Sequence, residues 1–462
     1  MTTETDPKNG SVSSEIISFK EKFAYGLGDF ATGFSGITIG TFALYYYTDV
    51  IGVSATALGA ILLFSRVFDA ISNVVMGYIV DRTRSKHGKA RAWILWSTIP
   101  FGLTLILAFS APVHWSETAL LIFAAISLNL HWLVYTSSNI PYGTLSALMT
   151  QDSYQRSRLN TFRMLSYFAS MLILPYVTLP LVEWFGGGES GWKYTMMIYG
   201  LVLMLTFFYT FLNTKERVKP VNNFRYNAPS LKTSLKCLVL NRFWVVVFFL
   251  MLLCFSILGL INGVGVYYAK YLLGNSQVIG VLNLAFALPL VLVLLCSSRI
   301  LRVLTRIKFI AVGLVVIIVG SAVMAISPHN EQVALLGTVL RGAGFAPIMG
   351  NAYSMLANTI DYGEWKFGIR NDGLVYSGGS FSAILGSGIA SGGIGWILGM
   401  AGYIPGNITT QPIIVLFTLQ ILFIYVPIIL SALSLFLLRL YTLEKIYPSI
   451  IKDLSLRTEN IY

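Results

Sequence analysis

Charge is scarce in this chain. Only 11% of its 462 residues are Asp, Glu, Lys or Arg, against 55% hydrophobic residues, and the mean hydropathy is +0.71. A soluble domain carries roughly a quarter charged residues, so a water-soluble globular protein is excluded. Cysteine is almost missing. Cys237, Cys254 and Cys296 are an odd number in or next to apolar segments. They give neither a disulfide framework nor a metal-ligand spacing, and they read as small packing residues. Gly-x-Ser-x-Gly, His-Glu-x-x-His and Gly-x-x-x-x-Gly-Lys-Ser/Thr are all absent. That disfavours a membrane-embedded hydrolase and direct use of ATP. Residues 1–19 are polar and lack a hydrophobic signal core, so no cleaved leader is expected.

Long apolar runs are abundant. A bilayer span needs about 20 apolar residues, and twelve stretches qualify: 24–48, 55–80, 93–111, 117–149, 159–185, 193–213, 243–272, 277–298, 308–327, 333–360, 373–401 and 411–440. The net charge of +12 invites a nucleic-acid reading, but its distribution argues otherwise. With both termini inside, all but four of the 32 Lys/Arg fall on one side of the membrane or at its edge, the exceptions being Arg66, Lys193, Lys270 and Arg341. That is the positive-inside pattern, and no nucleic-acid partner is expected. The loop from Asp81 to Trp93 alone holds five Lys/Arg, so it is expected in the cytoplasm with both termini. Asn407-Ile408-Thr409 matches a glycosylation sequon, a pattern that also arises by chance.

The boundaries divide the chain into an arm (1–19), a six-span half (20–213), a linker (214–242), a second six-span half (243–440) and a tail (441–462). The polar stretch 213–242 holds seven Lys/Arg and two prolines, and Ser230 to Leu240 has the pattern of a short amphipathic helix. The halves look weakly related. Tyr45-Tyr46-Tyr47-Thr48-Asp49-Val50-Ile51-Gly52 ends the first span and Tyr267-Tyr268-Ala269-Lys270-Tyr271-Leu272-Leu273-Gly274 the seventh. Tyr is common at bilayer interfaces, so chance also produces this likeness. Seven glycines between Ser377 and Gly395 fit either close helix packing or a moving element.

A charge at the bilayer centre costs about 2.5–3.5 kcal/mol on insertion scales, so charged and polar residues inside spans are the candidates for chemistry. Arg66, Asp69 and Asn73 lie on one face of the second span. A carboxylate with neutral oxygens binds a small cation or a proton; an Arg66–Asp69 pair that only joins helices is the alternative. Asn129, Trp132, Thr136 and Asn139 form a polar face on the fourth span, flanked by His131 and Tyr135. Amides and hydroxyls match sugar hydroxyls, and an indole packs on a pyranose ring. The same face also suits plain interhelical hydrogen bonding. Asp29 and Arg163 are placed to pair with each other or with loop charges. The tenth span ends in Asp361 to Gly373, five of whose thirteen residues are charged. With Asp81, Arg82, Arg91, Asp361, Glu364 and Arg370 it reads as a cytoplasmic latch between the halves; a merely solvated segment is the alternative.

Gly77-x-x-x-Asp81-Arg82 is the loop signature that many major-facilitator transporters carry after the second span. Tyr25-Gly26-Leu27-Gly28-Asp29-Phe30, Tyr46-Tyr47-Thr48-Asp49, Arg66-Val67-Phe68-Asp69-Ala70, Gly88-Lys89-Ala90-Arg91, Asn139-Ile140-Pro141-Tyr142-Gly143 and Asp361-Tyr362-Gly363-Glu364-Trp365 occur in order across most of the chain. Together they resemble the glycoside-pentoside-hexuronide:cation symporter family, the melibiose-carrier branch of the major facilitator superfamily. The resemblance implies an all-α fold of twelve transmembrane helices in two six-helix halves, and a bacterial plasma-membrane location. It implies that Asp69 and Thr136 belong to a cation site. The second carboxylate of that site, four residues after Asp69, is replaced by Asn73, which puts Na+ coupling in doubt. Family acids that bind sugar fall at Gly33 and Asn139, and a Lys falls at Ile384. Asn139 nonetheless sits in a run that resembles the glucuronide and xyloside carriers. Arg163 and Ser380 match residues near the sugar.

The sequence reading is therefore a sugar transporter working by alternating access. Asn129, Trp132, Tyr135, Asn139, Arg163 and Ser380 are expected at the substrate, and Asp69, Asn73 and Thr136 at the cation. No resident cofactor or metal is expected, only H+ or Na+ as coupling ion. The expected partners are a small sugar and membrane lipid around a monomer. An uncoupled uniporter and a lipid or lysolipid carrier of the same fold are the rival readings.

Overall fold

The computed structural model describes residues 17–150, 153–217, 231–369, 372–405 and 411–459. In chain order the helices are α1 (Phe19–Tyr45), α2 (Ala55–Arg82), α3 (Arg91–Ala108), α4 (Glu117–Met149), α5 (Ser153–Trp184), α6 (Gly188–Asn213), α7 (Leu231–Leu240), α8 (Arg242–Tyr267), α9 (Val278–Ile300), α10 (Arg306–Ile326), α11 (Glu331–Phe367), α12 (Asp372–Met400), α13 (Ile413–Gln420), α14 (Val426–Leu440) and α15 (Leu443–Glu459). Wider π-turns continue α1 over Tyr46–Ile51 and α8 over Tyr268–Leu272, and join α13 to α14 over Ile421–Tyr425. No strand occurs among the described residues.

Eleven candidate spans among the described residues, the α13–α14 run counted as one, are long and apolar enough to cross a membrane. The exception among the expected twelve is α1. Its 27 residues have the length, but a row of buried polar side chains, Asp29, Thr32, Ser35, Thr38 and Thr41, lowers its hydropathy. Long apolar side chains such as Phe64, Ile99, Ile126, Leu295 and Phe436 are exposed on the outside of the bundle. This is the reverse of a soluble surface, and it is what a lipid-facing exterior requires.

The helix pairings occur twice. In the first group α1 packs on α5 and α6, α4 on α2 and α3, and α3 on α6. In the second, α8 packs on α12 and α14, α11 on α9 and α10, and α10 on α14. Taking α1 as the counterpart of α8 and counting on, with α14 matching α6, each of these five pairs in one group has its partner in the other. The groups meet through α2–α12, α5–α9 and α1–α8. Glycine makes the first of these contacts close. A Cβ added at Gly59 of α2 would lie 2.7 Å from the Gly392 carbonyl oxygen and 2.9 Å from the Gly395 Cα of α12, so the two backbones nearly touch, as small residues permit in membranes.

Two ends of the bundle can be told apart. One, the basic end, carries the start of α1, the Arg82–Arg91 connection, the end of α6 and α15. The other, the far end, carries the turns after α1 and α8. The expected loop at the end of the tenth span is instead mostly helix: α11 continues through Phe367 and stops at Gly368, whose φ of +69° suits glycine.

Candidate functional site

Asp69, buried near the middle of α2, needs partners in an apolar medium. Thr136 of α4 donates its hydroxyl to Asp69 Oδ1 at 2.7 Å. Asn73, one turn on, donates its amide to the same oxygen at 3.1 Å and to the Asp69 carbonyl at 2.7 Å. Asp69 and Thr136 are 2% and 1% exposed. The three residues read as a cation cluster thus meet around one carboxylate, which accepts a hydroxyl and an amide donor on the same oxygen.

Arg66 corrects the sequence alternative. Among the described ion pairs it is not bridged to Asp69; its guanidinium lies 4.0 Å over the Trp132 ring. Tyr135 meets that indole edge-on, with centroids 5.1 Å apart. Trp132 is buried, so the broad face expected to stack on a sugar is already stacked on a cation in this conformation. Asn129 donates its amide to the Ala125 carbonyl at 2.7 Å, while its buried Oδ1 accepts no hydrogen bond within the described structure. Asn139 is half-buried one turn beyond Thr136, and Ser380 is exposed on α12. His131 belongs to packing. Its two ring nitrogens contact Ser35 at 2.7 Å and Thr104 at 3.1 Å, tying α4 to α1 and α3.

A second buried charge lies between α1 and α5. Arg163 reaches Asp29 at 3.2 Å, and Thr32 donates to the same carboxylate at 3.2 Å. The guanidinium also lies 5.4 Å from the Tyr142 ring, whose hydroxyl donates to the Tyr25 carbonyl at 2.7 Å. Gly33 on α1 faces α5 so closely that a Cβ there would lie 2.6 Å from both Ser170 Oγ and the Tyr167 ring. At the position where the resembled carriers hold a sugar-binding acid, α5 therefore occupies the space of a side chain.

Of the six residues read as a latch, the structure describes the side chains of Arg82, Arg91, Asp361 and Glu364. Arg91 donates its guanidinium to the Phe211 carbonyl at 2.8 Å, and Arg82 lies 3.7 Å over the Tyr78 ring. Asp361 accepts the Tyr447 hydroxyl of α15 at 2.6 Å, and Trp365 donates to Asp453 of the same helix at 3.0 Å. The Glu364 carbonyl accepts the Gly368 N–H at 2.9 Å. Arg370, like Asn407 of the sequon, lies outside the described residues, and so does the Asp81 side chain.

Two groupings escaped the sequence reading. Glu216, taken as linker, accepts the backbone N–H groups of Lys89, Ala90 and Arg91 at 2.8–2.9 Å. It caps α3, where orphan N–H groups and the helix dipole favour an anion. Next to it Arg217 makes a two-pronged pair with Glu21 at 2.7 and 2.9 Å. At the far end Asp49 accepts Lys270 and Tyr271, each at 2.6 Å, and also the Tyr403 hydroxyl. The only sequence signal was that Asp49 and Lys270 stand in the two matched octets.

Comparison with known proteins gives the same picture. Residues 24–445 match the family model described as MFS/sugar transport protein. The isoprimeverose transporter of Lactiplantibacillus pentosus is 31% identical over 450 residues, 96% of this chain and 93% of that one. The putative glycoside/cation symporter YagG of Escherichia coli K12 is 33% identical over 92% of each chain. Among solved structures, a D-xylose–proton symporter superposes with a TM-score of 0.60 at 13% identity, covering 90% of this chain and 97% of the other. The chain therefore belongs to the MFS sugar-transport family, among its glycoside-pentoside-hexuronide:cation symporters, and is a multi-pass membrane transporter rather than an enzyme.

Proposed function

We propose that this transporter imports a glycoside across a bacterial plasma membrane by alternating access, driven by a cation bound at Asp69. The observation that carries the reading is the Asp69–Thr136–Asn73 cluster. A buried carboxylate with two donors on one oxygen keeps the other oxygen for a small cation, and α4 joins that cluster to Trp132 and Asn139 within two turns. Cation binding at Asp69 and sugar binding along α4 are thus coupled through one helix. The substrate class is a pentoside or small disaccharide first and a hexuronide second. It is supported by the names of the relatives and by the neutral amides of Asn129 and Asn139, which bind hydroxyls without demanding or excluding an acidic sugar. Arg163, held by Asp29, and Ser380 complete the substrate set.

The coupling ion is a proton in preference to Na+. A single carboxylate takes up a proton and becomes neutral, whereas Na+ needs several oxygens to replace its water, and Asn73 turns its amide donor toward Asp69. That same substitution favours a second reading, uncoupled uniport. The basic end faces the cytoplasm, because the Lys/Arg-rich connections resist translocation, and a single chain suffices. The latch proposed for the basic end uses Asp81, Arg82, Arg91, Asp361, Glu364 and Arg370. Uptake of labelled glycosides into vesicles, with and without imposed Na+ and pH gradients, tests the function. No uptake of any glycoside in the panel would overturn it.

A further inference from the structure

The two octets that looked like a faint repeat in the sequence face each other at the far end. Each forms a π-turn closed by a glycine at positive φ, Gly52 at +88° and Gly274 at +75°. Tyr45 and Tyr267, the first residues of the octets, contact each other edge-on with centroids 6.0 Å apart. Equivalent residues in mutual contact mark the axis that relates the two groups of helices. One step from that axis the symmetry breaks. The fourth and fifth residues are Thr48 and Asp49 in one octet, Lys270 and Tyr271 in the other. Asp49 therefore meets Lys270 across the groups at 2.6 Å, and Thr48 meets the Tyr267 hydroxyl at 2.7 Å.

The pair is built to hold. The Asp49 side chain is 1% exposed, and apart from Thr48, its own neighbour, the partners described for it belong to the other group: Lys270 and Tyr271 after α8, and Tyr403 after α12. It is also built to open. Lys270 keeps 18% exposure, and a cleft of about 240 Å³, lined by Tyr45, Asp49, Glu183, Trp192 and Ser276 among others, adjoins the carboxylate. Water can thus reach both charges as they part, which lowers the penalty of separating them. Further close contacts between the groups continue from the far end toward the middle of the bundle: Gly399 on Thr56, Gly59 on Gly392 and Gly395, Gly388 on Arg66, and Gly280 on Tyr176.

We propose that Asp49 and Lys270, with Tyr271 and Tyr403, form the outer gate of this transporter, whose closing leaves the sugar site open to the cytoplasm. The proposal rests on the orientation and alternating access argued above. Breaking the pair removes contacts made only when the far end is closed, so it shifts the population toward the outward-open form without touching the sugar or the cation.

The test uses a cysteine-free full-length chain with a single reporter, Gly40→Cys. Gly40 lies one turn beyond Gly36, which faces Tyr135, and a Cβ at Gly40 meets nothing within 4 Å. An impermeant thiol reagent is added to intact cells and, separately, to inside-out vesicles. Asp49→Asn and Lys270→Gln are each expected to speed labelling in intact cells by about tenfold or more, the scale set by unpairing a largely buried ion pair. Tyr271→Phe, which keeps both charges, is expected to give a smaller change of the same sign. Unchanged labelling from both sides in variants that reach the membrane in normal amount would overturn the gate. Faster labelling confined to inside-out vesicles would overturn instead the orientation on which the proposal rests.

Discussion

Thr136→Ala separates the two candidate coupling ions by the sign of its effect. In the structure the Thr136 hydroxyl donates to Asp69 Oδ1 at 2.7 Å, with both residues almost wholly buried. A hydrogen bond to a charged group contributes about 1.5–3 kcal/mol, which corresponds to about ten- to 150-fold in an equilibrium constant. If the ion is a proton, the lost donor had favoured the charged carboxylate over the protonated one. The variant then needs less proton, and half-maximal uptake moves toward alkaline pH. If the ion is Na+, the variant loses a ligand and needs more Na+ by a similar factor. Uptake by cells or vesicles, titrated in pH and in Na+ against a fixed sugar gradient, reads both. Two companions bracket the result. Asp69→Asn is expected to abolish accumulation while sparing exchange, because the carboxylate that carries the ion is gone. Asn73→Asp, which adds the second acid of the resembled carriers, is expected to introduce Na+ stimulation. Strong Na+ stimulation of the unmodified protein, with Thr136→Ala raising the Na+ requirement, would refute the proton assignment.

Two further outcomes are expected. Asn139→Ala weakens sugar binding by about 1–3 kcal/mol without a fall in thermal stability. Trp132→Ala weakens binding but also destabilises the protein, since it leaves a cavity and releases Arg66 from the indole. Binding by isothermal titration beside thermal unfolding checks both, and normal binding in both variants would move the sugar site off α4. In a cysteine-free background, an impermeant thiol reagent is expected to modify Asn407→Cys in intact cells but not Lys86→Cys, Lys89→Cys, Lys232→Cys or Lys452→Cys. Labelling of Lys86→Cys there would reverse the orientation.

The sequence showed most of the fold because spans and their connections follow directly from hydropathy. The expected span 117–149 coincides with α4; in the structure Ser116 caps its start and Thr150 leaves the helix at its end. The expected span 24–48 coincides with most of α1, although buried polar side chains make that helix less apolar than the others. The reading ran short where helix continues through charged residues, as at Asp361 to Phe367. Within the site, the sequence placed Asp69 and Asn73 on one face because they are neighbours on one helix. It did not say which helix that face meets. The Arg66–Trp132 stack, the Asp49–Lys270 pair and the closure of α5 on Gly33 are all contacts between distant segments, set by packing. Glu216 was missed for a simpler reason. A lone acid in a polar connection carries no periodic signal, and only the fold brings it to the start of α3.

Coupling of glycoside movement to a cation at Asp69 is open to direct test. The most direct measurement is uptake of a panel of radiolabelled pentosides, disaccharides and hexuronides into vesicles containing the purified protein, under an imposed proton gradient, an imposed Na+ gradient or neither. Concentrative uptake of at least one glycoside is expected under the proton gradient, falling to simple equilibration in Asp69→Asn. Concentrative uptake that survives unchanged in Asp69→Asn would contradict that coupling.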